Sequence, residues 1–316
     1  MIGDTPLVKL GRVAKDLKPL VLGKLEFLNP GGSVKDRIGI AMLLDAEKRG
    51  LVERGGTIVE PSSGNTGVGL AIACVLLGYN LIVTMPDKMS VEKIRLLEAY
   101  GAKVIVCPTD RQPGDPQHYI TVAARIAKEM ENSYLPNQYA NETNPRTHYE
   151  TTGREIWEQT DGMITCFVTG VGTGGTITGV GRYLKERKRD VKIIGVDPLG
   201  SIYSDVFEGK KIQDIVPKQY KIEGIGEDFI PKTADLTLID GFVKVSDKEA
   251  YLMARRLAKE EGLLVGSSSG ASVAGALKVS ETLSSGDLVV TLLPDRGERY
   301  LSKLYNDEWM RAQGFL

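Results

Sequence analysis

Lys35 is the side chain in this sequence best placed to act as a nucleophile. It ends the stretch Asn29-Pro30-Gly31-Gly32-Ser33-Val34-Lys35-Asp36-Arg37. Proline fixes φ and paired glycines invite a turn, so regular structure stops here and restarts as a helix. Ser33 is the expected N-cap, with Ile38, Met42 and Leu43 on an apolar face behind Lys35. A lysine in the first turn meets the positive end of the helix dipole. The misplacement costs only ~0.3–1 kcal/mol, but it favours the neutral amine, the form that attacks an aldehyde to give a Schiff base. Taken alone, the stretch is better explained by a solvated lysine on a helix shoulder.

Three loops supply what such a lysine would need. Ser62-Ser63-Gly64-Asn65-Thr66-Gly67 lies between a strand and an apolar helix. Small residues let its amide groups turn inward, and the helix start behind them favours an anion such as a carboxylate. An ordinary polar turn fits these residues equally well. Gly170-Val171-Gly172-Thr173-Gly174-Gly175-Thr176 also joins strand to helix. Gly170, Gly172 and Gly175 fit the dinucleotide pattern, yet the acidic ribose partner is not evident about 20 residues on, where Asp190 precedes a strand and Asp197 follows it, and no Gly-Lys-Ser/Thr follows. A monophosphate is the better guest. Gly266-Ser267-Ser268-Ser269-Gly270 has apolar flanks and reads as a tight turn presenting hydroxyls at a helix start. A serine opposite a pyridine nitrogen would leave that nitrogen unprotonated. One lysine, one anion loop, one phosphate loop and one hydroxyl turn are together the parts of a pyridoxal phosphate enzyme that handles amino acids.

The elements that must position these residues alternate between strand and helix. Strands are expected at Thr57–Glu60, Leu81–Met85, Lys103–Cys107, Cys166–Thr169, Lys192–Val196 and Leu288–Leu293. Helices are expected near Val68–Leu77, Ser90–Tyr100, Gln117–Glu131, Thr147–Gln159, Ile177–Glu186 and Asp247–Glu261, and from the serine turn to Leu283. That alternation implies an α/β fold with mostly parallel sheets. The irregular Gly200–Thr233 reads as a mobile lid or a long connection.

Composition narrows the function. The 316 residues can bury a large core, and Lys+Arg 40 against Asp+Glu 41 gives no electrostatic case for nucleic acid or an anionic membrane. The longest apolar run, Gly69–Gly78, is too short for a membrane span, and the N-terminus lacks the pattern of a signal peptide. Cys74, Cys107 and Cys166 have no paired spacing and read as buried thiols of a cytoplasmic protein. With only His118 and His148, both read as structural, no metal site is expected.

Asn29–Arg37, Ser62–Gly67, Gly172–Thr176 and Gly266–Gly270, in this order and spacing, resemble the β-family (fold type II) pyridoxal phosphate enzymes. The resemblance runs from Gly3-Asp4-Thr5-Pro6-Leu7 to Gln313-Gly314-Phe315-Leu316. It implies an α/β fold of two lobes, similar to the tryptophan synthase β-subunit, with the cofactor pyridoxal 5'-phosphate between them. The smaller, mobile lobe would be about 36–138 and the larger one about 1–35 plus 139–316. A homodimer is also implied.

Within the family, Met85–Lys93, Asp115–His118, Asn144–Tyr149, Glu223–Pro231 and Asn306–Met310 resemble the cystathionine β-synthase branch. Thr151–Trp157 and Gly297–Ser302 look more like the cysteine synthase branch, which usually carries glutamine where Glu223 stands. The sequence begins directly at the core and stops at Leu316, so neither a haem arm nor a C-terminal regulatory module is expected.

The resemblance assigns roles residue by residue. Lys35 becomes the Schiff-base lysine and the base for the α-proton. Asn65 is implied to bond the cofactor's 3′-oxygen, and Gly172, Thr173, Gly174, Gly175 and Thr176 to hold its phosphate. Ser268 would face the pyridine nitrogen. Ser62, Ser63, Gly64 and Thr66, with Gln138, would hold the substrate carboxylate. Glu223 and Gly224 would stand at the mouth and admit the second substrate, with Tyr139 and Lys88 guiding it. The implied reaction joins serine, or an activated serine, to homocysteine through a bound aminoacrylate, giving cystathionine. Hydrogen sulfide from cysteine is a side reaction. The alternative is a cysteine synthase joining O-acetylserine and sulfide.

Overall fold

The computed structural model describes residues 1–316 except 63, 88, 90, 112 and 113. The Ser63 and Lys88 assignments and the expected Ser90 cap therefore lie outside the described residues. The chain divides into two compact units: one holds Met1, Gly3–Gly32 and Pro145–Leu316, the other Ile2 and Ser33–Asn144.

Ten strands are described: β1 (Leu7–Lys9), β2 (Leu20–Leu25), β3 (Thr57–Pro61), β4 (Asn80–Pro86), β5 (Lys103–Cys107), β6 (Ser133–Tyr134), β7 (Cys166–Gly170), β8 (Lys192–Pro198), β9 (Gly241–Val245) and β10 (Leu288–Leu293). The helices in chain order are α1 (Lys35–Lys48), α2 (Asn65–Leu77), α3 (Val91–Ala99), α4 (Tyr119–Glu129), α5 (Thr143–His148), α6 (Arg154–Gln159), α7 (Gly175–Arg187), α8 (Tyr203–Phe207), α9 (Asp247–Arg256), α10 (Ser267–Ser280) and α11 (Asp307–Ala312).

The larger unit is built on a six-stranded sheet in the order β1-β2-β10-β7-β8-β9. Only β1 runs antiparallel. Both faces of this sheet are buried, which explains why β7, β8 and β10 lack simple polar alternation. Alternation survives in where the side chains go. Cys166, Val168, Val196, Val289 and Leu293 join the core formed with α9 and α10. Phe167, Ile193, Leu288 and Val290 join the core formed with α6 and α7. Ser246 and Glu249 close a capping box at the start of α9.

The smaller unit has a parallel sheet in the order β5-β4-β3-β6. Ile58, Leu81, Val83 and Met85 pack with α1 and α2 on one face, while Val59 and Ile82 meet α4 on the other. Helix α2 stops where Gly78 takes φ +78°, freely available to glycine. In each sheet the strand order reverses once. Chain direction turns between β3 and β6 in one unit and between β7 and β10 in the other. Loops at the carboxyl ends of strands beside such switch points are where α/β sheets bind ligands. The loops following β3 and β7 are the two that sequence singled out.

Some expectations change in detail. Thr147–Gln159 is not one α-helix: a widened π turn at Tyr149–Gly153 separates α5 from α6. There Thr151 Oγ1 donates to Thr147 O, and Gly153 packs where a Cβ would lie 2.8 Å from Tyr183. The last turn of Asp247–Glu261 is likewise π. Ser267–Ser269 are not a turn but the first turn of α10. Gly200–Thr233 contains α8 and is docked, with Ser201, Tyr203, Ser204, Ile222, Ile225 and Thr233 buried. Among the described residues no helix is long and apolar enough to cross a membrane.

Helices α1 and α2 touch backbone to backbone. A Cβ on Gly39 would lie 2.4 Å from the Gly69 carbonyl carbon, and one on Gly69 would lie 2.5 Å from Lys35 O. Gly69→Ala is therefore expected to lower stability by about 1–3 kcal/mol despite alanine's better helix propensity. Gly286→Ala, which meets open space, leaves stability unchanged or slightly raised. Urea unfolding of the two variants checks the contrast.

Candidate active site

The candidate loop cluster of the smaller unit is organised by the α1–α2 contact. Lys35 is half-buried at the start of α1. Val34 already has helical φ and ψ, and Ser33 Oγ accepts the Lys35 N–H at 3.2 Å. Ser33 thus does the capping expected of it, although the assigned boundary falls one residue later. Because α2 touches the Lys35 carbonyl, the lysine backbone is fixed relative to the loop that opens α2.

That loop is held by its own first serine. Ser62 Oγ accepts from Gly67 N at 3.0 Å and from Gly64 N at 3.4 Å. Its hydroxyl caps the helix from outside, which curls Gly64, Asn65 and Thr66 around the helix start. Thr66 Oγ1 donates to Gln138 Oε1 at 2.6 Å. Residues 72 apart in sequence therefore meet across the switch point. The Gln138 amide NH2, with the helix-start dipole beside it, can receive a carboxylate. A Cβ on Gly64 would lie 4.0 Å from Lys93 Nζ, so a cation flanks the loop. Lys93 was not among the expected site residues. Its only sequence signal was its place in a family-like stretch. Tyr139 is half-buried one residue beyond Gln138.

Glu60 was also missed. It is 1% exposed at the end of β3, immediately before the loop. Its carboxylate accepts from Asn137 N at 2.9 Å and Gln138 N at 3.3 Å. Burial pushes its pKa up to about 7, the two backbone bonds opposing the shift without cancelling it. In sequence it looks like any strand-end glutamate.

The larger unit carries a phosphate-sized loop after β7. Val171 O accepts from Gly226 N at 2.7 Å, Gly172 O from Tyr203 OH at 2.5 Å, and Thr173 O from Thr233 Oγ1 at 2.5 Å. Three successive carbonyls are thus engaged by donors of 203–233. Carbonyls turned one way turn the neighbouring amide N–H groups the other, an arrangement that suits an anion at the start of α7. Side chains would spoil the cradle: a Cβ on Gly172 would lie 2.6 Å from Gly224 O, and one on Gly174 (φ +81°) 2.3 Å from Ala234 Cβ. His148, expected to be structural, links the loop to α5, with Nε2 3.3 Å from Thr176 Oγ1 and Nδ1 2.9 Å from Thr152 Oγ1. These residues fit a phosphate monoester.

The hydroxyl-bearing start of α10 belongs to the same unit. Ser268 is buried there. Neighbouring Ser267 Oγ accepts Glu223 N at 3.1 Å, while Lys303 Nζ pairs with Glu223 Oε1 at 3.0 Å. Glu223 and Gly224 are therefore tied both to α10 and to the phosphate loop. Cys74 and Cys166 are buried thiols pushed up to about 12, which removes them as nucleophiles. Among the described residues no cluster of His, Cys, Asp and Glu could hold a metal ion.

The family profile described as "Pyridoxal-phosphate dependent enzyme" matches residues 1–295. The chain belongs to this family, and its cofactor is pyridoxal 5'-phosphate. More particularly, it is 46% identical over its whole length to cystathionine beta-synthase of Oryctolagus cuniculus and to that of Dictyostelium discoideum, covering 57% and 62% of those proteins. It is 42% identical to cystathionine beta-synthase of Saccharomyces cerevisiae, over 98% of this chain and 63% of that one. The chain thus spans less than two thirds of these relatives. A solved hydrogen sulfide-producing enzyme from Fusobacterium nucleatum shares the fold at TM-score 0.86 and 36% identity, covering 94% of this chain and 95% of that one.

Glu60 gives a pH test. Between about pH 4.5 and 7 the native chain holds a proton that the unfolded chain has released, so this group makes stability fall as pH rises through that window. The loss is expected to reach about 3 kcal/mol. Glu60→Gln removes that slope. Urea midpoints at about pH 5 and pH 8 should show the wild type losing stability relative to the variant. Parallel profiles would contradict the buried acid.

Proposed function

We propose that this chain catalyses β-replacement on serine, or an activated serine, with homocysteine as the incoming thiol, giving cystathionine. The observation that carries the reading is the fixed placement of Lys35 against α2, whose first turn offers Asn65 and Thr66, with Thr66 bonded to Gln138. Likeness to cystathionine beta-synthases along the whole chain supports the same conclusion.

Bound pyridoxal phosphate supplies an electron sink that makes the α-proton of an amino acid labile and lets its β-substituent leave. The chain's own residues supply the rest. Gly172–Thr176 would bind the phosphate through backbone amide groups, Asn65 would bond the ring oxygen, and the Ser268 hydroxyl would donate to the unprotonated pyridine nitrogen. Ser62, Ser63, Gly64, Thr66 and Gln138 orient the substrate by its carboxylate. Lys35 Nζ takes the α-proton and returns it to the departing hydroxyl, which is a poor leaving group without one. The Glu223–Lys303 pair offers a charge of each sign beside Gly224, suited to a zwitterionic amino-acid thiol. Tyr139 and Lys88 guide that thiol.

The same chemistry run on cysteine releases hydrogen sulfide, in keeping with what the Fusobacterium protein is said to produce. The family resemblance also supports a homodimer in the cytoplasm and a small mobile lobe of about 36–138.

The deciding assay offers cofactor-loaded protein serine and O-acetylserine together, then homocysteine and sulfide in competition, with products identified by mass. Mostly cystathionine is expected; mostly cysteine would replace this reading with cysteine synthase. Lys35→Ala should abolish turnover while the protein still binds amino acids, and retained turnover would remove Lys35 from its role. Tyr203→Phe deletes the donor to Gly172 O, a bond worth about 1 kcal/mol. Fluorescence titration of the apo-protein should show cofactor affinity weakened roughly five- to tenfold. Unchanged affinity would mean that the outer bonds do not aim the cradle.

A further inference from the structure

Glu60 is a fully buried carboxylate for which the proposed reaction has no use. Its surroundings show what it does. Both oxygens are spent on the backbone of one turn, accepting Asn137 N and Gln138 N. Asn137 has φ +52°, an uncommon conformation for a residue with a side chain. The turn closes on itself, Asn137 O accepting from both Ala140 N and Asn141 N. Gln138 O accepts from the buried Asn144 Nδ2 at 2.8 Å. Gln138 is therefore gripped at its N–H by Glu60, at its carbonyl by Asn144 and at its side chain by Thr66.

A strand-end residue that orders a turn 77 positions away does more than finish a strand. Glu60 also precedes Pro61 and Ser62, so a single side chain links the two segments that face each other at the switch point.

We propose that Glu60 is a positioning residue for recognition of the amino-acid carboxylate: it holds the Asn137–Gln138 turn so that Gln138 meets Thr66 at the start of α2. The inference rests on the reading that Thr66 and Gln138 receive that carboxylate. Glu60 itself contacts neither substrate nor cofactor. Its loss acts on substrate affinity, not on the proton steps at Lys35. Glutamine in its place keeps the shape but turns an NH2 towards one of the two backbone donors, so one of the two bonds is lost and a donor is stranded.

The test uses cofactor-loaded wild type, Glu60→Gln and Gln138→Ala. Each is titrated with L-serine by following the cofactor's visible absorbance, and kcat and KM for L-serine are measured separately. Glu60→Gln should raise the serine Kd and KM about tenfold or more. Its kcat should stay within about threefold of wild type, with cofactor affinity unchanged. Gln138→Ala should raise the serine Kd as well. A folded Glu60→Gln with wild-type serine affinity, beside a weakened Gln138→Ala, overturns the inference and leaves the carboxylate site standing. Wild-type affinity in both variants removes the carboxylate site and the inference together. A Glu60→Gln that loses cofactor and kcat in step with serine affinity is merely structural and also overturns the inference. Should Glu60→Gln fail to fold, Glu60→Asp decides by the same criterion, since its shorter side chain keeps the charge but cannot reach both amides. Serine binding does not involve the thiol, so a failed cystathionine assay leaves this result readable.

Discussion

The glycine loop after β7 depends on where three carbonyl oxygens go. A polar backbone group inside a protein must find a partner, and the direction of its C=O sets the direction of the neighbouring N–H. Gly226 N, Tyr203 OH and Thr233 Oγ1 take the carbonyls of Val171, Gly172 and Thr173 in turn. Glycine is needed at 172 and 174 because the segment delivering those donors comes too close for a Cβ. The shape of the loop is thus a property of two segments, only one of which carries a recognisable motif. Asp197 extends the dependence. It sits at the end of β8, fully buried, and accepts from Ser204 N and Oγ, which fixes the short α8 that bears Tyr203.

In the smaller unit the constraint is different, the approach of two helices without side chains between them. Gly39 and Gly69 let α1 and α2 touch main chain to main chain, so the lysine and the anion loop move as one piece. Glycine inside a helix costs roughly 0.5–1 kcal/mol against alanine. A buried glutamate and a positive φ at Asn137 add to the local cost. Concentration of such costs at one loop cluster is what a binding site looks like in a fold whose remaining core is ordinary aliphatic packing.

The alternation of strand and helix was legible because the buried strands are short apolar runs bounded by turn residues, and Thr57–Glu60, Leu81–Met85, Lys103–Cys107 and Leu288–Leu293 fall inside or on the observed strands. β1, β2, β6 and β9 went unread. β1 and β6 are very short, while β2 and β9 carry glycine and lysine, which dilute the apolar signal. The motif loops were legible because glycine and serine clusters between strand and helix carry a mechanism of their own. What stayed hidden was everything acting at long range. Nothing local in Tyr203, Thr233, Asp197 or Glu60 announces a partner 31, 60, 7 or 77 residues away. Gly200–Thr233 was hardest, since it has little regular structure and its order comes from bonds to other segments.

Hydrogen bonding therefore divides the site residues into two kinds with different tolerances. Residues proposed to face a ligand, such as Gln138 and the phosphate-loop glycines, are one kind. Residues behind them, such as Glu60 and Tyr203, have their hydrogen-bonding groups committed to the backbone. The first kind sets which molecule binds, and its replacement changes selectivity. The second sets how accurately the donors are aimed, and its replacement weakens whatever binds. Among β-replacement enzymes that differ in leaving group and thiol, variation at the first kind alters chemistry only if the second kind holds the loops still. The Glu223–Lys303 pair stands where both meet. Both side chains are half-buried, while Glu223 N is already committed to Ser267 at the start of α10. A change of charge at 223 therefore leaves in place the backbone bond that anchors the segment.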